Sequence, residues 1–145
     1  MKFMILVKAT ADSEAGVMPT EAEFAAMGRF NEELVAAGVM KSGEGLHPSS
    51  RGARVQFSGD KRTVVDGPFA ETKELVAGFW IWEVESMAHA VEWAKKCPNP
   101  MFGPSDLDIR PFYSLEDFEE GVFSDDAKAL HARLGEEAAA RHGQL

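Results

Sequence analysis

The stretch LVAGFWIWEV, Leu75–Val84, decides the fold. In an extended chain successive side chains point to opposite faces. Leu75, Ala77, Phe79 and Ile81 therefore share one side, and Val76, Trp80, Trp82 and Val84 share the other. A strand with one face in water alternates apolar with polar residues; this one is apolar on both. At ten residues it is far short of the ~20 a membrane-crossing helix needs, so it reads as a central strand of a doubly covered sheet. The opening MKFMILVK repeats the pattern: Phe3, Ile5 and Val7 alternate with Met4 and Leu6 between flanking lysines.

Between these two strands lies MPTEAEF, a helix start. Thr20 is placed to cap, Glu23 stands three residues on as its capping-box partner, and Pro19 sits just outside. Met27, Phe30 and Leu34 form one apolar stripe with Phe24 and Val35 beside it, and Gly38 ends the helix that spans Glu21–Ala37. Val39–Leu46 is a second extended segment. Ala53–Phe57 and Arg62–Val65 form a hairpin about Ser58-Gly59-Asp60-Lys61. After the decisive strand Ser86 caps a helix through Cys97, which Pro98 and Pro100 stop. Leu107–Tyr113 is the last core strand, and Asp125–His142 a tail helix. With the hairpin set aside the order is β-α-β-β-α-β. The expected architecture is α+β: a ferredoxin-like split βαβ antiparallel sheet, two helices on one face, an extra β-hairpin and a C-terminal helix.

Something must then cover the second face of the sheet. The economical answer is the same face of a second subunit, giving a homodimer of the dimeric α/β barrel kind. The alternative is the tail folding back. Burying aromatics such as Trp80 and Trp82 there is worth about 1.5–3 kcal/mol for each large side chain, and whichever of the two lies in the interface is expected to hold the dimer together.

With 145 residues the chain has room for one domain: a body over 1–118 and an acidic helical extension over 119–145. Residues 116–145 hold eight acids against three bases, a net −5 of the overall −9. That acidity repels phosphate backbones, so no nucleic-acid partner is expected, and no membrane partner either. One cysteine, Cys97, excludes an internal disulfide, and the chain reads as cytoplasmic. Cys97 itself reads as an inert core thiol. No histidine pair has ligand spacing, so neither metal nor cofactor is expected. The bases Arg51, Arg54, Lys61 and Arg62 gather on the hairpin, as a solvated face or as a counterpart to a partner subunit's acidic tail.

The chemistry-bearing candidates cluster after the hairpin, in VVDGPFAETKE. Asp-Gly-Pro makes a turn by local chemistry alone. The functional reading gathers Asp66, Glu71, Lys73 and Glu74 as a polar rim about an apolar pocket. On the closing strand Asp108 and Arg110 share one face, as an ion pair or as an anion clamp. His47, on the loop leaving the second strand, is placed to approach the pocket mouth.

DGPFAETKE, together with MKFMILVK, FNEELVAAG, GEGL and DIRPF, resembles the DGPF-motif branch of the YCII-related proteins, over about Met1–Phe118. The resemblance implies a ferredoxin-like fold paired into a dimeric α/β barrel, and a frequent association with alternative sigma factors. It implies no defined reaction. Some members carry a His–Asp pair with the histidine in the first helix; the helix Glu21–Ala37 has no histidine, so that pair is not carried over.

Two functions stay open, and the sequence does not say whether the chain is an enzyme. In the first, a pocket near Asp66–Glu74 acts on a small anionic metabolite. Asp66 is the general base, Arg110 and Lys73 hold the anion with Glu71 on the rim, and His47 assists proton transfer. In the second, the dimer is a noncatalytic ligand-binding or regulatory module that acts through protein partners.

Overall fold

The structure, a computed structural model, describes residues 1–143, and of Lys73 only the backbone. Its elements are β1 (Lys2–Lys8), α1 (Ala11–Glu14), α2 (Glu21–Ala36), β2 (Met40–Gly45), β3 (Ala53–Ser58), β4 (Lys61–Asp66), β5 (Val76–Glu83), α3 (Met87–Lys95), β6 (Leu107–Pro111) and α4 (Asp125–His142). Four strands form one antiparallel sheet in the order β2-β5-β1-β6, while β3 and β4 pair only with each other. This is the ferredoxin-like split βαβ arrangement.

The helices begin and end where the local chemistry directs. Thr20 Oγ1 accepts from the Glu23 N–H (3.2 Å), capping α2. Glu23 does not close the expected box; its carboxylate accepts a hydrogen bond from the Thr20 hydroxyl instead (2.8 Å). Gly38 follows at φ +71°, the left-handed turn that glycine adopts without strain. Ser86 caps α3 through the His89 N–H (3.1 Å). Some ends differ from the sequence reading. Leu75 closes a 3₁₀ turn and is not in β5, α3 stops at Lys95, and β6 stops at Pro111. The four-residue α1, capped reciprocally by Thr10 and Ser13, is unannounced by any apolar period.

On the helix-covered face Phe3, Ile5, Val7, Trp80 and Trp82 meet Phe30 and Leu34 of α2 and Ala90 of α3. Trp82 and Leu34 are fully buried. Both tryptophans of β5 therefore serve this core, and neither belongs to the opposite face of the sheet. Phe30 stands edge-on to Trp80 and Trp82, and Asn31 accepts from the Trp80 indole N–H (2.8 Å). Gly43 lies against the Trp80 ring, where a Cβ would come within 2.7 Å.

Cross-strand register puts Met4 opposite Ile81 and Leu6 opposite Phe79, so these four form the other face. Met4, Leu6 and Phe79 are half-buried and Ile81 is buried. At the Lys2–Glu83 end of this face a cleft is bounded by Lys2, Lys41 and Glu83 on one side and Gly135, Ala138 and Ala139 of α4 on the other. The tail helix thus overlies one end of the sheet. Most of its residues remain exposed.

Candidate functional site

The segment after β4 is anchored mainly through its backbone. Asp66 pairs with Ala53 at the base of the hairpin, and the Gly67 N–H donates to the Gly52 carbonyl (3.0 Å). A Cβ at Gly67 would fall 1.7 Å from the Ser49 carbonyl oxygen. No side chain fits there, so the turn requires glycine for space. The Phe69 N–H donates to Ser49 Oγ (3.0 Å). Ser49 in turn gives both its hydroxyl and its N–H to the Glu14 carboxylate, the N–H at 3.0 Å. One serine thereby ties three pieces together: the Asp66–Phe69 turn, the 3₁₀ turn Ser49–Arg51, and α1. The half-buried Phe69 ring lies under the Arg54 guanidinium (4.1 Å).

Two clefts open beside this junction. One, about 270 Å³, is walled by Leu46, Phe69, Leu75 and Val76, with His47, Arg51, Ser49 and Glu14 as its polar groups. The other, about 370 Å³, runs between Thr10, Asp12 and Ser13 on one side and Met101 and Phe102 on the other, with Glu23 at its edge. Leu46, His47 and Pro48 line both. His47 is thus on the ridge between them. Arg51 Nη1 lies 3.1–3.2 Å from the His47 ring nitrogens, donating to whichever is unprotonated. A guanidinium offers a forked grip on a carboxylate, and an imidazole can accept or give a proton. Together on an apolar wall they suit a small anion with an apolar body.

Of the residues singled out in the sequence, His47 lies in these clefts. Asp66 is exposed at the hairpin base, lines neither cleft, and has no hydrogen bond through its carboxylate among the described residues. Glu71 is exposed where it precedes the 3₁₀ turn Thr72–Glu74. The side chain of Lys73 lies outside the described residues. Arg110 is opposite Met4 on the far side of the sheet from the helices, in a cleft with Lys2, Glu83 and Tyr113 at the end away from His47. Its neighbour Asp108 pairs with Lys8 (3.6 Å). His47 and Arg110 are therefore not brought together. Cys97 is half-buried with its thiol on the Pro98 carbonyl, and burial pushes its pKa up to about 11, which keeps it protonated and unreactive. Among the described residues no group of three or more His, Cys, Asp or Glu gathers to hold a metal. No described helix is long and apolar enough to cross a membrane.

Glu14 and Ser49 escaped the sequence reading because they are 35 residues apart and neither belongs to a motif. Arg51 was visible there only as one of the hairpin's bases.

Known proteins add a family to this geometry. The YCII-related domain matches residues 1–113, and the chain belongs to that family. An uncharacterized protein of Rhizobium meliloti (strain 1021) is 32% identical over 79 residues, 54% of this chain and 64% of its own length. The match therefore spans just under two thirds of that relative. Among solved structures, the 5-chloro-2-hydroxyhydroquinone dehydrochlorinase TftG from Burkholderia phenoliruptrix AC1100, in complex with 2,5-dihydroxybenzoquinone, is similar over 82% of this chain and 100% of its own. The TM-score is 0.46 and the identity 18%.

Proposed function

We propose that this YCII-related chain, of the DGPF branch by its Asp66–Phe69 turn, is a homodimer whose Phe69 cleft binds a small anionic metabolite. His47 serves there as proton acceptor or donor. The observation that carries the reading is the His47–Arg51 contact on an apolar wall. Arg51 takes the carboxylate of the ligand, Phe69, Leu75 and Val76 take its apolar part, and His47 stands beside the reacting carbon. Holding a carboxylate falls to Arg51 and not Arg110, because Arg110 lines a separate cleft at the far end of the sheet. Asp66 has the turn as its role. The dimer forms through Met4, Leu6 and Phe79, half-buried apolar side chains on the face without α2 and α3.

The test is thermal denaturation with acetate, succinate and benzoate, alongside Arg51→Gln and His47→Gln. A ligand stabilises in proportion to the logarithm of its concentration over Kd. We expect benzoate to raise the Tm of the native chain, Arg51→Gln to abolish the rise, and His47→Gln to keep binding while abolishing protein-catalysed exchange of solvent deuterium into the C–H groups of bound succinate. A rise that survives Arg51→Gln, or none with any carboxylate, overturns the site. A second reading, a noncatalytic module, follows if binding is found and His47→Gln changes nothing further.

A further inference from the structure

Residues 116–145 are rich in acids, yet the groove they help to form has none in its lining; its basic groups are Lys128 and His131. Ser124 caps α4 through the Ala127 N–H (3.1 Å), which fixes where the helix begins. Lys128, His131, Ala132 and Gly135 then follow at i, i+3, i+4 and i+7. They make one stripe of the helix, and all four line the groove. A helical stripe turned toward aromatic rings is ordinarily apolar throughout. Here its first two members are basic and its last two are small.

Opposite the stripe stands a corner of rings. Tyr113 stacks on Phe118 (5.5 Å), and Phe123 meets Phe118 edge-on, at 5.0 Å with 85° between the planes. Corner and stripe enclose about 490 Å³, within the range of small-molecule sites. Tyr113 and Phe123 are exposed and Phe118 is half-buried, so the rings are assembled without being covered.

Nothing within the chain satisfies the two basic groups. Among the described residues Lys128 has no ion pair, and its ammonium sits over no aromatic ring. The hydrogen bonds made by histidine rings are both those of His47, so His131 makes none there. Neighbouring acids are engaged elsewhere. The Asp117 carboxylate accepts from the Ser114 N–H (2.6 Å), and Glu137 pairs with Arg133 (3.6 Å).

We propose that this groove is a second ligand site, for a planar two-ring aromatic acid. The rings lie in the corner, face-on to one of Phe118 and Phe123 and edge-on to the other, the two arrangements that aromatic pairs prefer. The carboxylate accepts from Lys128 Nζ and from a ring N–H of His131, which either tautomer of the imidazole supplies. Ala132 and Gly135 leave the depth that the rings need. Size separates this site from the Phe69 cleft: about 490 Å³ against about 270 Å³, so two rings suit the groove and one ring suits the cleft. The groove shares no lining residue with either cleft at His47, and the proposal does not rest on them.

The test is equilibrium dialysis of the Arg51→Gln chain, whose Phe69 cleft has lost its grip on a carboxylate, against 2-naphthoate. We expect one equivalent bound per chain. Lys128→Gln in the same background should raise the dissociation constant about tenfold. Ala132→Leu, which fills the groove and leaves both basic groups in place, should abolish binding. Glutamine and leucine are both good helix formers, so α4 is kept. The alcohol 2-naphthalenemethanol, with the same rings and no charge, should bind at least about tenfold more weakly than the acid. No binding by the Arg51→Gln chain overturns the proposal, and benzoate on the native chain still tests the Phe69 cleft by itself. Binding that survives Ala132→Leu puts the ligand elsewhere and also overturns it. An alcohol that binds as well as the acid, or a constant unmoved by Lys128→Gln, overturns the acid as the ligand class.

Discussion

The β1–β5 pair and the β3–β4 pair are both antiparallel ladders of aromatic and β-branched residues, and their fates are opposite. Across the first, Ile5 and Trp80 face each other under α2, and both are buried. Across the second, Val55 and Val64 face each other in the open. Strand propensity is satisfied in both, since it asks only that a side chain fit a pleated surface. What differs is whether the chain supplies a covering layer. The sequence of a strand states that its face wants cover, and the rest of the fold states whether cover comes from within.

Mutations can break or sharpen that contrast. The largest effect belongs to the covered ladder: Leu34→Ala empties a fully buried site beneath it and should cost about 2–5 kcal/mol in urea denaturation. A loss under 1 kcal/mol, about what a loose surface site gives, would mean the layer is not packed. Next comes Gly67→Ala, at the junction between ladder and hairpin. Its new methyl must push the Ser49 carbonyl away, and we expect a loss of about 1–3 kcal/mol together with weakened carboxylate binding at Arg51.

Smaller again is the effect of Cys97, which packs against the covered core. Its pKa is raised from 9.0 when unfolded to about 11 when folded. The folded state holds the proton more tightly, so its contribution is complete below pH 9 and fades as pH rises through 11. Stability should fall across that window, by well under the roughly 1.4 kcal/mol per pH unit of a fully buried group because the thiol is only half-buried, and Cys97→Ala should flatten this component of the slope. The smallest effect is on the uncovered ladder. Phe57→Ser, made in a Phe79→Asp chain that stays monomeric, should shift folding stability by no more than about 0.5 kcal/mol. A larger loss would show the hairpin packing on its own chain, and the contrast would fail.

Much of the covered half was legible. Thr20, Gly38 and Ser86 punctuate the helices through short-range chemistry, and the two-faced period of Leu75–Val84 identifies a central strand. Which face goes to the helices was not legible. Alternation divides residues into two sets and carries no label for inside, so Trp80 and Trp82 read equally well as interface residues until Phe30 and Asn31 are seen against them. The site was legible only in part. Gly67 is recognisable as a turn glycine, but the reason it is glycine is the Ser49 carbonyl, distant in sequence. His47 could be named from its loop, whereas Glu14 and Ser49 meet only because α1 forms, and four residues leave no periodic trace.

The aromatic cluster under the helices has a spectroscopic consequence. All three tryptophans of the chain, Trp80, Trp82 and Trp93, adjoin Phe30, with Trp80 and Trp82 only 5.7 Å apart. Intrinsic indole emission therefore reports on the seam between helices and sheet, with excitation shared between the close pair. It should be nearly blind to events at His47 or Phe57. The single tyrosine, Tyr113, stacks on Phe118 after β6, with ring centroids 5.5 Å apart. Excitation at the red edge selects the tryptophans of the core alone, whereas shorter-wavelength light excites Tyr113 together with them, so the difference between the two carries what Tyr113 reports.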